Sequence, residues 1–189
     1  MDAESARLLG SAGGLDEELL VLEAEGGVEL ALYLAPALLT RLRPYESAPE
    51  HAVLDGELEG FCQLAEGVSH FVYMARTALE ERTVSLLELE AQAEVDKFAL
   101  CLLRRWGAGG AEAWARELLG RLFERVSYRA RLSEAERWRY QEANRLSRNF
   151  CSRLMGHVVG RRLERLLGEL RYAYRLGAEA KLRHFAQVS

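Results

Sequence analysis

The chain has 189 residues, 49% hydrophobic and 29% charged, with a formal net charge of −4. That composition supports a sizeable buried core in one ordinary domain spanning 1–189. No run of about 18 apolar residues occurs, which argues against a membrane-spanning helix and a membrane partner.

Charge is unevenly placed. Residues 1–94 carry 5 Arg and 19 Asp or Glu, a net −14, whereas 95–189 carry 20 Lys or Arg and 10 Asp or Glu, a net +10. Such a split fits halves that neutralise each other or a basic surface for an acidic partner. The basic residues are 23 Arg and 2 Lys. Cys62, Cys101 and Cys151 are widely spaced and form no CxxC pair. The expectation is three packed thiols in a reduced, cytoplasmic setting. Met1 to Asp16 lacks the basic start and apolar block of a secretory signal.

The first predicted element is a β-hairpin over 17–36. Leu20, Leu22 and Ala24 alternate with Glu23 and Glu25, and Gly26-Gly27 offers a tight turn. The return strand alternates Val28, Leu30, Leu32 and Leu34 with Glu29, Ala31 and Tyr33. Two strands are marginal alone, so the apolar face must lie on helices or pair with a second copy. Pro36, Pro44 and Pro49 mark a helical turn and loop over 36–50; no proline follows, which permits long helices across 50–187.

A long amphipathic helix is predicted from about Glu50 to Glu81. Leu54, Leu58, Phe61, Ala65, Val68, Val72, Ala75 and Leu79 form its apolar stripe. Glu59, Gln63, Glu66, His70, Tyr73, Thr77 and Glu80 form a polar stripe, and Gly56, Gly60 and Gly67 a third strip that suggests close approach of another backbone. Ser85 and Glu88 make a capping box for the next helix, which runs to about Trp106. Gly107-Ala108-Gly109-Gly110 is a flexible joint. A third helix spans about Ala111 to Arg129 with Trp114, Leu118, Leu122 and Val126 inward. Ser133 and Glu136 cap a fourth helix, with a kink expected near Gly156 and Gly160; a helix from Arg161 to Arg175, capped by Gly177, and a tail helix to about Gln187 follow. The predicted fold class is therefore α+β, predominantly helical: an N-terminal hairpin packed on a bundle of four to six helices.

Chemistry is sparsely signalled. Glu66 and His70 are one helical turn apart, and Glu90 and Glu94 repeat that spacing. Converging, they would resemble the carboxylate–imidazole sets that hold metals in bundles. Such sites use Glu-x-x-His twice, a pattern missing here, and Lys97 beside the carboxylates favours a salt-bridge ladder. No nucleophile elbow or phosphate-cradling glycine loop is recognisable. Arg121, Arg125 and Arg129 form one basic stripe, and Arg161 and Arg165 begin another. They read first as internal partners of Glu117, Glu124, Glu136, Glu164 and Glu169, and alternatively as a polyanion-binding surface. Tyr140, Asn144 and Arg148 share a strip of the fourth helix, where a mid-helix Asn suggests a polar network with the Glu90–Glu94 strip.

The sequence thus favours a non-catalytic interaction or regulatory protein that meets a protein partner or itself as a homodimer. It implies no cofactor. Nucleic-acid binding and a metal-binding bundle or enzyme are the alternatives.

Overall fold

A computed structural model describes residues 6–10, 17–24, 27–128, 130 and 132–188. The α+β, predominantly helical class is what it shows. The chain divides into two compact units, residues 1–83 and 84–189, where the sequence reading treats it as one domain.

Unit 1 begins with strands β1 (Ala6–Gly10), β2 (Glu17–Ala24) and β3 (Gly27–Leu34). They form an antiparallel sheet of order β1-β2-β3, so the expected hairpin gains a third strand. Gly27 pairs with Ala24 and opens β3, rather than sitting in the turn; the other turn position, Gly26, lies outside the described residues. The inner face of β2 also differs from expectation. Glu17, Leu19 and Val21 are buried, whereas Leu20 and Leu22 are exposed. The four consecutive apolar residues Leu19 to Leu22 satisfy either phase of a period-two pattern. The register decides: Leu19 lies opposite Leu32 and Val21 opposite Leu30, the half-buried side of β3.

Helices α1 (Pro36–Leu42), α2 (Ala52–Gly56) and α3 (Leu58–Leu79) complete the unit, with β2, β3, α1 and α2 all packed on α3. The predicted long helix is broken at Glu57 (φ −146°), whose carboxylate accepts from the Gly60 amide at 3.2 Å. The glycine strip admits side chains rather than another backbone. A Cβ at Gly56 would collide with the Tyr45 ring, one at Gly60 with Glu57 and Arg41, and one at Gly67 with the Glu17 carboxylate and Leu32. On α3, Phe61, Ala65, His70, Tyr73 and Thr77 are buried, but Val68, Val72 and Leu79 of the expected apolar stripe are exposed, Leu79 by 87%. Tyr73 explains part of the exchange. Its ring is covered while its hydroxyl accepts from Arg82 at 2.8 Å, so this polar-stripe residue is satisfied when buried.

Unit 2 holds α4 (Leu86–Leu103), α5 (Ala111–Leu119), α6 (Glu134–Val159), α7 (Leu163–Arg175) and α8 (Ala178–Ala186). Within it α4 packs on α5, α6 and α8, and α6 also meets α5, α7 and α8. Ser85 accepts from the Glu88 amide at the head of α4, and both halves of the Ser133–Glu136 capping box are present on α6. Gly109 (φ +78°) and Gly110 (φ +68°) turn the chain into α5, a conformation that glycine adopts without Cβ strain. The helix after them does not reach Arg129. It widens into a π-turn at Gly120–Glu124, and the extra residue shifts the helical phase. Phe123 consequently enters the core, and Val126 is exposed.

α6 runs through Gly156 and ends at Gly160. Gly177 is the N-cap of α8, with φ −70° and ψ 163°, rather than a cap of α7. Arg161 takes φ +51°, a left-handed conformation that costs an L-residue about 1–2 kcal/mol. Gly168 sits mid-helix with open space where a Cβ would be, a position where glycine costs about 1 kcal/mol against alanine.

Candidate functional site

Lys181 on α8 is fully enclosed, as are Glu88 and Ser147 of the same unit. The Lys181 Nζ donates to Gln92 Oε1 at 2.5 Å and to the Tyr174 carbonyl at 3.3 Å, and lies 5.4 Å from the Tyr174 ring centroid. Gln92 in turn donates through Nε2 to Asp96 Oδ1 at 2.9 Å. Helices α4, α7 and α8 are thus joined by a chain of hydrogen bonds in the core. A buried ammonium needs such partners, because its desolvation is otherwise prohibitive.

The sequence reading passes over Lys181, though a signal exists. The chain has 23 Arg and only 2 Lys, and both lysines, Lys97 and Lys181, are buried. A compact ammonium on a flexible stem fits a narrow core site better than a planar guanidinium.

Nearby thiol chemistry is suppressed. Burial, then the Glu94 and Asp96 carboxylates, push the Cys151 thiol well above its ordinary range. Since the thiolate is the reactive form, Cys151 behaves as a packed apolar group. Cys101 is likewise buried, and Cys62 is half-buried.

The proposed metal ligands are divided between the units: Glu66 and His70 on α3 of unit 1, Glu90 and Glu94 on α4 of unit 2. Within unit 2 the two carboxylates have cationic neighbours. Lys97 meets Glu94 at 2.8 Å, and Arg139 approaches Glu90 at 3.8 Å.

Two residues of the expected polar strip of α6, Asn144 and Arg148, engage the turn that follows α5. Asn144 donates through Nδ2 to the Leu122 carbonyl at 3.3 Å, and Arg148 pairs with Glu124 at 2.7 Å. Both therefore hold the π-turn, where widening leaves carbonyls needing donors. The Arg139 guanidinium lies 5.2 Å from the Tyr140 ring centroid.

The arginine stripes separate into two kinds. Arg121 pairs with Glu117 at 2.6 Å, and Arg125 donates to the Gly120 carbonyl at 3.4 Å; Arg129 lies outside the described residues. Arg161 and Arg165, together with Arg171 and Arg175, are exposed, and their side chains make no hydrogen bond or ion pair with any described residue.

Unit 1 offers a different kind of surface. β3 is an edge strand, and no described segment makes backbone hydrogen bonds to its outer side. On the face away from Leu19 and Val21, the sheet exposes Leu20, Leu22, Ala31 and Tyr33. No helix among the described residues is long and apolar enough to cross a membrane. No family model, curated protein or solved structure matches this chain.

Proposed function

We propose that this chain is a non-catalytic interaction protein whose first unit takes a protein strand along the edge of β3, with a second copy of the chain as the partner. The observation that carries the reading is the character of that edge. β3 is eight residues long, has no Pro or Lys, and carries one charge, Glu29. Open edges are normally blunted by prolines, lysines or bulges, because their unpaired N–H and C=O groups template further pairing. An unprotected apolar edge is the usual place for strand addition.

A second copy suits the edge chemically. Antiparallel pairing about a two-fold axis at Ala31 sets Leu30 opposite Leu32 and keeps the half-buried leucines on one face. It sets Glu29 opposite Tyr33, so no like charges meet. Two-fold dimers are also the commonest homo-oligomers. The Cys151 thiol of unit 2 supports a non-catalytic reading, since burial and nearby carboxylates hold it in the protonated, unreactive form.

Light scattering on the intact chain at micromolar concentration tests this. The expected result is a dimer that Ala31→Lys, an exposed substitution, converts to a folded monomer by placing two ammoniums at the axis. A monodisperse monomer for the unaltered chain would end the self-pairing reading.

A further inference from the structure

We infer that the outward face of α7, led by Arg161, is a binding surface for single-stranded nucleic acid. Arg165, Gly168 and Tyr172 follow one another at spacings of 3 and 4 and form one strip of α7, flanked by Arg171 and Arg175, while Arg161 lies two residues before the helix begins. All six are exposed, Tyr172 by 56%. Glu164 lies on this face, and Glu169, one turn on from Arg165, borders it. Glu169 also exerts its field on Arg153 and His184.

Three features describe this face; the left-handed arginine has a counterpart in Glu81 (φ +51°), which closes α3 in the same way, and the open mid-helix glycine has one in Gly156. The first is pairing. Arg116, Arg121, Arg145, Arg148 and Arg183 each meet a glutamate, whereas the four arginines of this face meet none among the described residues. The second is strain. α6 closes with the Arg162 amide donating to the His157 carbonyl at 2.8 Å and the Arg161 amide to the Val158 carbonyl at 3.0 Å. That closure requires a left-handed residue, a position that glycine favours, yet an arginine occupies it while Gly160 beside it has φ −77°. The third is Gly168. Nothing within 4 Å of its Cβ position requires a glycine, so packing within the chain does not explain it.

The chemistry points to one ligand class. Unpaired guanidiniums bind phosphates, and a glycine lets a backbone or sugar approach the helix closely. Tyr172 meets His184 edge-on, with ring centroids 5.4 Å apart at 84°. A tyrosine so held is a platform for an unpaired base. A membrane surface is disfavoured, because α7 turns its apolar residues Leu166 and Ala173 into the core and has none on the arginine face to insert. The acidic balance of the chain is no obstacle, since unit 2 carries 20 Lys or Arg against 13 Asp or Glu.

Fluorescence anisotropy of the intact protein with a labelled oligo-dT of about 20 nucleotides provides the test. Four phosphate contacts predict a log–log salt slope of about −3. Arg161→Gly should reduce the slope by about 0.7. It should also raise the thermal midpoint by about 2–4 °C, because the left-handed strain is relieved. Tyr172→Ala should weaken binding by about tenfold with the slope unchanged. Absence of binding at low salt, equal binding by a variant with Arg165, Arg171 and Arg175 all changed to Glu, or tighter binding to duplex or to phosphatidylserine vesicles would each overturn the inference. So would loss of stability in Arg161→Gly, which would give Arg161 a structural role.

Discussion

The Lys181 ammonium on α8 reaches the Gln92 side-chain oxygen on α4 at 2.5 Å, with Lys181 fully enclosed and Gln92 almost so. The contact spans 89 positions of sequence and ties the last helix of unit 2 to its first. Lys181→Ala should cost about 2–4 kcal/mol, combining a lost charged hydrogen bond with a core cavity. Lys181→Met together with Gln92→Leu should recover most of it, because well-packed apolar groups can replace a buried polar pair. Urea denaturation measures both. A cost under about 0.5 kcal/mol for the alanine variant would show that the ammonium contributes little to the fold.

A second prediction concerns acid. Burial, then the Arg153 guanidinium, lower the His184 pKa from its ordinary 6.5, with Glu169 opposing. Its Nε2 is buried with no hydrogen-bond partner among the described residues. The groups around it are Arg153 and Phe150 of α6, Glu169 and Tyr172 of α7, and Phe185 of its own helix. A lowered folded value means that the unfolded chain takes up the proton first. The contribution to stability is therefore complete above 6.5, falls as the pH drops below it, and levels off beneath the folded value. His184→Phe should flatten urea midpoints between about pH 7.5 and 5, above the range where most carboxylates titrate. An unchanged pH slope in that variant would refute the assignment.

Two glycines should respond oppositely to alanine. At Gly67 a Cβ meets the Glu17 carboxylate and Leu32, so the sheet must shift on α3. Gly67→Ala should destabilise by about 1–3 kcal/mol, and Glu17→Ala in the same chain should relieve part of that. Gly168, whose Cβ position is open, should gain about 1 kcal/mol from the same change. Thermal or urea unfolding of both variants checks the pair. A stabilised Gly67→Ala would mean that β2 and β3 do not pack on α3 as described.

Much of the local architecture was legible in the residues. The Ser133–Glu136 capping box needs only four residues of chain, and it is present. So is the alternation of β3, because Leu30, Leu32 and Leu34 are separated by Glu29, Ala31 and Tyr33. The first strand was not legible: Ala6–Gly10 carries no alternation strong enough to announce it, and its existence depends on pairing with β2. The candidate sites were harder. Pattern alone marks the arginine stripes, but it cannot say that Arg121 has Glu117 as a partner while the Arg161 and Arg165 side chains have none among the described residues.

By itself, the sequence determined where α4, α5 and α6 begin, that no proline interrupts the chain after Pro49, and that the fold would be α+β and mostly helical. These follow from caps, turns and periodicity, which act over one or two helical turns. Only the tertiary structure decided which face of each element is buried. Leu19 to Leu22 is apolar on both faces, and α3 carries Val68 and Val72 on one side and Tyr73 on another; their own hydrophobicity does not choose between the faces. The choice is made by contacts between elements distant in sequence: β2 against β3, the sheet against Gly67, Asn144 against the π-turn, and Lys181 against Gln92. Burial energy depends on what covers a side chain, and that is a property of the assembled fold rather than of any segment.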